Sequence, residues 1–262
     1  MIYKMGLLMS VVAGMAIGAL PQASSAVAIS MATDGQFKVT VGTFFFAQGQ
    51  KLALEVAGAD PCPGLGDELL VTGFRILDAE GIVLYADETV PYPALAKEWI
   101  GRWGLVSGDG EAVPAGKYTA LVMASGGEFR AELEVVGPGA AGGLQTLGKA
   151  SVCGLGLVLY RLVEEGDEAG AVTLSVGERL MIALSGNSTT GYAWEVVEEP
   201  AFLAPAEGLA YLPDSALLGG EGTFFFRYEA TEAGEGEISL AYRRPWEDVP
   251  PHPTFTLDVT VH

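Results

Sequence analysis

Apolar and polar residues alternate with period two along much of this chain, and that pattern restricts it to strands. In Thr254-Phe255-Thr256-Leu257-Asp258-Val259-Thr260-Val261 every second side chain is apolar. An extended segment of this kind buries one face and leaves the other in water. The same period runs through Phe37-Lys38-Val39-Thr40-Val41 and Lys51-Leu52-Ala53-Leu54-Glu55-Val56. It returns on both sides of Gly126-Gly127, at 116–122 and 129–135, which is a hairpin signal. Strands are also expected at 157–163, 172–176, 180–184, 224–228 and 237–242. Helix signals are weak, with room for a turn or two at 94–103 and 200–206. Trp99 and Trp103 fall between strands and read as core residues.

The run Gly137-Pro138-Gly139-Ala140-Ala141-Gly142-Gly143 favours neither helix nor strand and reads as a connector. It leaves roughly a hundred residues on each side, a usual size for a sandwich of about seven strands. The expected fold class is therefore all-β, with two immunoglobulin-like β-sandwich domains at 27–136 and 151–262 joined by a Gly/Ala-rich linker at 137–150.

Residues 1–26 read as a signal peptide. Lys4 supplies the positive start, Gly6 to Leu20 is apolar but short for a membrane span, and Ser24-Ser25-Ala26 or Ala26-Val27-Ala28 fits a small-residue cleavage site. Export to a periplasm or to the cell exterior is expected, with no membrane association after cleavage. The formal net charge is -19, and Lys4 is the one charged side chain in the segment removed, so the mature chain stands near -20. Phosphate-rich partners would be repelled, which excludes nucleic acid and anionic membrane surfaces. The charge is spread along the chain and singles out no site. Cys62 and Cys153 are the only cysteines. In an oxidising compartment they can bridge the first half to the start of the second, and pairing is favoured over two separate thiols.

Nothing in the sequence supports catalysis. The two histidines, His252 and His262, lie near the C-terminus, one between prolines and one terminal. A nucleophilic triad needs a histidine held by its partners. Zinc-site and EF-hand spacings are absent. Gly219-Gly220-Glu221-Gly222 lacks the Lys and Ser/Thr that follow in a phosphate loop. No catalytic residue, metal or cofactor is expected.

Three short loops stand out instead. Asn187-Ser188-Thr189-Thr190-Gly191-Tyr192 offers a turn-forming side chain, two threonine hydroxyls and a glycine that permits close approach. The cluster Gly219-Gly220-Glu221-Gly222 follows, and then Arg243-Arg244-Pro245-Trp246-Glu247. Arg and Trp are the residue types that most often carry interface energy, and a proline-stiffened loop loses little entropy on docking. Read singly, each loop can also be a plain turn or a corner packed on the core.

In this order the three loops resemble the Asn-Pro-Thr-Thr-Gly-Tyr/Phe, Gly-x-Gly-Gly and Arg-Pro-Trp loops of the chagasin family of cysteine-protease inhibitors. Val176-Gly177-Glu178, Tyr192-Ala193-Trp194 and Tyr242 fit as flanking residues. The resemblance covers roughly Val172 to Val261 and assigns the first half no role. It implies an immunoglobulin-like domain whose loops form a wedge, inhibiting papain-like cysteine proteases reversibly and competitively as a monomer. The implied protease-binding residues are Asn187, Ser188, Thr189, Thr190, Gly191 and Tyr192, then Gly219, Gly220, Glu221 and Gly222, then Arg244, Pro245 and Trp246. Two positions depart from the pattern. Ser188 stands where the family has proline, creating the glycosylation sequon Asn187-Ser188-Thr189, and Glu221 stands where it has glycine. The competing expectation is a non-inhibitory envelope or extracellular binding module on the same sandwich, which predicts that the loops do not converge.

Overall fold

The computed structural model describes residues 26–31, 37–58, 71–88, 100–124, 127–137, 143–152, 155–167, 170–206, 211–214, 219–247 and 253–262. Apart from single 3-10 turns at Glu165–Asp167 and Ser188–Thr190, their regular structure is strand. The first half contributes β1 (Ala26–Met31), β2 (Phe37–Ala47), β3 (Lys51–Gly58), β4 (Val71–Leu77), β5 (Val83–Asp87), β6 (Ile100–Trp103), β7 (Gly116–Ala124) and β8 (Gly127–Val136). Then come β9 (Gly143–Val152), β10 (Leu155–Glu164), β11 (Ala171–Leu174), β12 (Arg179–Gly186) and β13 (Ala193–Glu198). The chain closes with β14 (Leu203–Pro205), β15 (Tyr211–Pro213), β16 (Gly222–Ala230), β17 (Gly234–Arg243) and β18 (Thr254–Val261).

These strands form three sheets. A 7-stranded sheet runs β1-β2-β8-β7-β4-β5, with β9 also paired to β2. A 4-stranded sheet, β11-β18-β17-β13, belongs wholly to the second half. The third, 7-stranded, runs β14-β16-β12-β10-β3-β6 with β15 beside β16, and it combines strands of both halves. Its centre is β10, antiparallel to β3 from Leu155 to Leu162 and parallel to β12 from Arg161 to Glu164.

Register decides which residues meet. Directly paired residues point to the same side of a sheet. The pairs Leu159↔Leu54, Arg161↔Leu52, Arg161↔Leu180 and Ile182↔Phe226 therefore carry one face across the joint. On that face Leu52, Leu54, Leu157 and Leu159 pack with Phe74, Ile76, Trp103 and Leu133 of the first half. Further along it, Leu180, Ile182, Leu184 and Tyr228 pack with Ile238, Leu240, Leu257 and Val259. The opposite face buries a third cluster from Ala53, Val158, Tyr160, Leu162, Met181 and Phe225. Trp103 is core, as its position between strands suggests, and its indole N–H donates to the Val106 carbonyl at 2.7 Å. Tyr118 lies edge-on to it, with its hydroxyl donating to the Pro114 carbonyl at 2.6 Å.

Both faces of the joint carry buried charge. Arg227 makes a two-pronged contact with Glu55, Nε to Oε2 and Nη2 to Oε1, each at 3.0 Å. The Tyr160 hydroxyl donates to the same carboxylate at 2.9 Å. On the other face Arg161 donates to Glu178 at 2.9 Å and lies over the Phe46 ring at 5.0 Å. Nearer the surface, Lys51 pairs with Glu164 and Asp167, and Arg102 with Glu164. All but one of these contacts tie residues before 137 to residues after 150.

The structure amends two expectations. Ile100–Trp103 and Leu203–Pro205 are strands rather than helical turns, because backbone pairing to β3 and β16 outweighs a weak local preference. The connector expected over 137–150 is strand from Gly143 onward, where β9 pairs antiparallel with β2. Trp99, Cys62, Cys153 and the leader expected at 1–26, except Ala26, lie outside the described residues.

Two outcomes follow for stability. Removing one partner of a buried ion pair leaves a charge stranded, which costs about 3–5 kcal/mol, whereas replacing both by apolar residues is often neutral. Glu55→Ala should show that loss in denaturant unfolding, and Glu55→Leu with Arg227→Met should recover most of it. A single-variant loss under about 1 kcal/mol would mean that the pair does not hold the joint. Tyr160 gives a pH signature. Burial first, and the Glu55 charge second, raise its pKa above the ordinary value. Unfolded tyrosine ionises near ~10, so above that pH the folded chain holds a proton that the unfolded chain releases, and stability falls as pH rises. Unfolding midpoints should drop above about pH 10, and Tyr160→Phe should flatten the drop.

Candidate functional site

The first loop joins β12 to β13. Asn187, extended at φ -124 and ψ 98, caps the 3-10 turn Ser188–Thr190. Its Oδ1 accepts from the Thr189 backbone N–H at 3.0 Å and from the Thr189 hydroxyl at 2.6 Å. The Thr190 hydroxyl donates back to the Asn187 carbonyl at 2.7 Å. Gly191 ends the turn in the left-handed region at φ 80, where a side chain is strained. The turn is thus closed by its own polar groups, with the side chains of Ser188, Thr189 and Thr190 exposed at the tip.

Aromatic packing holds the base of this loop. The Asn187 N–H donates to the Tyr242 hydroxyl at 2.8 Å. Tyr242 stacks on Tyr192 at 5.2 Å and lies 5.3 Å from Trp194. Trp194 is buried and donates from its indole N–H to the Ser185 carbonyl at 2.9 Å. A Cβ on Gly186 would come within 2.8 Å of the Phe224 ring, so β12 can pass this cluster only as glycine. Tyr242 follows Ile238 and Leu240 on the inward side of β17, so its period predicts burial while its link to Asn187 is tertiary.

The second loop leads into β16. The Asn187 Nδ2 donates to the Gly219 carbonyl at 2.7 Å, so one side chain organises the first loop and binds the second to it. Gly219 has φ +84, and a Cβ there would sit 3.9 Å from the Thr189 hydroxyl. A Cβ on Gly222 would run into the Tyr211 hydroxyl and the Leu212 carbonyl. Gly220 is half-buried, whereas Glu221 is exposed, its backbone carbonyl accepting from Asp214 N–H at 3.0 Å.

The third loop follows β17 and folds back on the first. Arg244 donates from Nε to the Thr190 carbonyl at 3.1 Å and from Nη1 to Glu247 at 2.7 Å, and it lies over the Tyr192 ring at 4.5 Å. Pro245 and Trp246 form the tight turn closed by Glu247 N–H to the Arg244 carbonyl at 3.1 Å. Trp246 rests against Gly191, where a Cβ would come within 2.6 Å of its ring. It is nonetheless 70% exposed, which rules out a core role.

The structure therefore brings all three loops to one edge. Their contributions differ. Asn187, Tyr192 and Arg244 direct their polar groups and ring faces largely at their own chain, so they position the edge. Ser188, Thr189, Thr190, Glu221 and Trp246 face outward. Tyr211 and Glu247, which support the glycine cluster and Arg244, carry no sequence signal that marks them for this role. Among the described residues no group of three or more His, Cys, Asp or Glu side chains is placed to hold a metal.

Comparison with known proteins gives this edge a context. Residues 173–261 match the family model for the chagasin family peptidase inhibitor I42. The chain is 36% identical over 97 residues to Amoebiasin-1 of Entamoeba histolytica, a stretch covering 37% of this chain and 95% of that protein. It is 36% identical over 91 residues to Chagasin of Trypanosoma cruzi, covering 32% and 81% respectively. Among solved structures it is similar to the cysteine protease inhibitor EhICP2 from Entamoeba histolytica, at 23% identity and a TM-score of 0.36, over 38% of this chain and 94% of that one. The matching family is one of peptidase inhibitors rather than enzymes. Through its second half, the chain belongs to the chagasin family of peptidase inhibitors.

Proposed function

We propose that this chain is an exported, reversible, competitive inhibitor of papain-like cysteine proteases, and that its three-loop edge is the wedge that enters the protease cleft. The single observation that carries this reading is the convergence of the loops, cross-linked by Asn187 to Gly219 and Arg244 to Thr190. The tip at Thr189, Thr190 and Gly191 approaches the catalytic cysteine and histidine of the target, Gly219 to Gly222 line one flank, and Pro245 and Trp246 line the other. Inhibition comes from blocking. The two threonine hydroxyls at the tip donate to Asn187, and the turn is closed by these internal hydrogen bonds, so docking orders few groups and more contact energy appears as affinity. The immunoglobulin-like unit is the sandwich of the 4-stranded sheet on β12 and β16, and the first half extends that sandwich through β3.

Steady-state inhibition of papain and of a cathepsin L-type protease, with the chain lacking residues 1–26, tests the reading. Competitive inhibition at nanomolar to low micromolar concentration is expected. Folded protein that inhibits neither enzyme would transfer the edge to a non-inhibitory binding module.

Variants separate contact from support. Trp246→Ala removes an exposed aromatic anchor and should raise the inhibition constant about thirtyfold or more, with a thermal midpoint within about 2 °C of the parent. Thr190→Glu should weaken inhibition comparably by placing a charge at the tip. Matching losses of stability in both would contradict an outward role. Ser188→Pro should act the other way. Ser188 occupies the first position of the 3-10 turn, Asn187 is already extended, and the Ser188 N–H donates to no described residue. Proline is compatible with such a site. A gain of about 0.4–1 kcal/mol from lost unfolded-state freedom should appear as a higher unfolding midpoint. The inhibition constant should hold or fall.

A further inference from the structure

The charge balance of the edge bears on which protease it selects. This inference rests on the wedge reading and concerns a position where the chain departs from the family pattern. Arg243 is held by Glu195 at 2.6 Å, and Arg244 by Glu247 at 2.7 Å, with Thr190 and Tyr192 taking the rest of its guanidinium. The positive charges of the third loop are thus matched within the chain. Glu221 differs. It is exposed, and its carboxylate makes no hydrogen bond or ion pair with any described residue. Its backbone is held nonetheless, by the Asp214 N–H bond to its carbonyl and by Gly222, which begins β16 in register with Pro213 and has no room for a Cβ beside Tyr211. Asp214, across the same hairpin end, is also exposed, its carboxylate accepting from the Thr223 hydroxyl at 3.5 Å. The flank made by the second loop therefore presents exposed negative charge beside the tip with no counter-charge among the described residues, on a chain whose formal net charge is already -19.

We infer that Glu221 is a specificity-determining residue, selecting papain-like proteases that carry lysine or arginine on the rim of the cleft facing the glycine loop. A carboxylate at the edge of an interface acts mainly on encounter rate and on rejection of like-charged partners. It need add little affinity by itself, since rim charges remain solvated. Glycine at this position would leave the flank with the Asp214 charge alone and less sensitive to rim charge. The carboxylate narrows the range of targets while leaving the tip unchanged.

The test uses the full mature chain and one papain-like protease in two forms, differing by a lysine-to-glutamate exchange on that rim. Association rates and inhibition constants are measured at low and at physiological salt for the parent, Glu221→Gln and Glu221→Lys. Glu221→Gln is expected to slow association with the lysine-rim form about threefold or more at low salt and to flatten its salt dependence, and Glu221→Lys to do so further. With the glutamate-rim form both variants should bind faster than the parent. Equal rates for parent and Glu221→Gln with both forms overturn the inference while leaving the inhibitory reading intact. A parent that inhibits neither form overturns both.

Discussion

Strand β10 is the element on which the rest of the molecule depends. It pairs with β3 along one edge and with β12 along the other, so both sandwich cores are built on a single hydrogen-bonded ladder. Its pairing register on the two sides fixes which face each half buries. The buried pairs Glu55–Arg227 and Arg161–Glu178 sit beside this strand on opposite faces of the sheet. Charges of this kind contribute little net stability over an apolar pair but penalise wrong registers heavily, because a slip would strand them in a dry interior. The first half is thereby coupled to the chagasin-family half through its main chain, although the family match begins only at residue 173.

The loop edge stands at the opposite end of β12 and β16 from the residues where β10 joins β12, and it has its own small core. Tyr242 is the hinge between that core and the edge. Its ring packs with Tyr192 and Trp194 below, and its hydroxyl meets the Asn187 main chain above. Asn187 then distributes the order outward, to Thr189 through one side-chain atom and to Gly219 through the other. Arg244 closes the third side. The exposed tip is thus already ordered by its own hydrogen bonds, which is the condition for making new contacts at small entropic cost.

Much of this was legible in the sequence. The alternating segments at 51–56, 116–122 and 254–261 and the short apolar runs at 157–163 and 180–184 all lie in strands, because a period of two, or a brief apolar run buried on both faces, suits a sheet. The three loops were visible because their residue types are unusual together and occur in a recognisable order. Less legible were β4, β5 and β9, whose alternation is broken by glycine or by polar residues, and the short strands at 100–103 and 203–205, which exist only because a partner strand lies beside them. The Gly/Ala run signalled a break between halves and hid the sheet that reunites them.

What the sequence by itself determined is local. It set which segments extend, which face of each is apolar, where glycine permits left-handed turns, and which three loops carry the family pattern. Only the tertiary structure decided that β3 of one half pairs with β10 of the other, that Trp194 is buried while Trp246 is exposed, and that Asn187 and Arg244 position the edge while Glu221 faces outward unmatched. The physical reason is range. Periodicity and turn chemistry act over a few neighbouring residues, whereas strand partners, ion-pair partners and exposure depend on residues more than a hundred positions away, as Glu55 and Arg227 are.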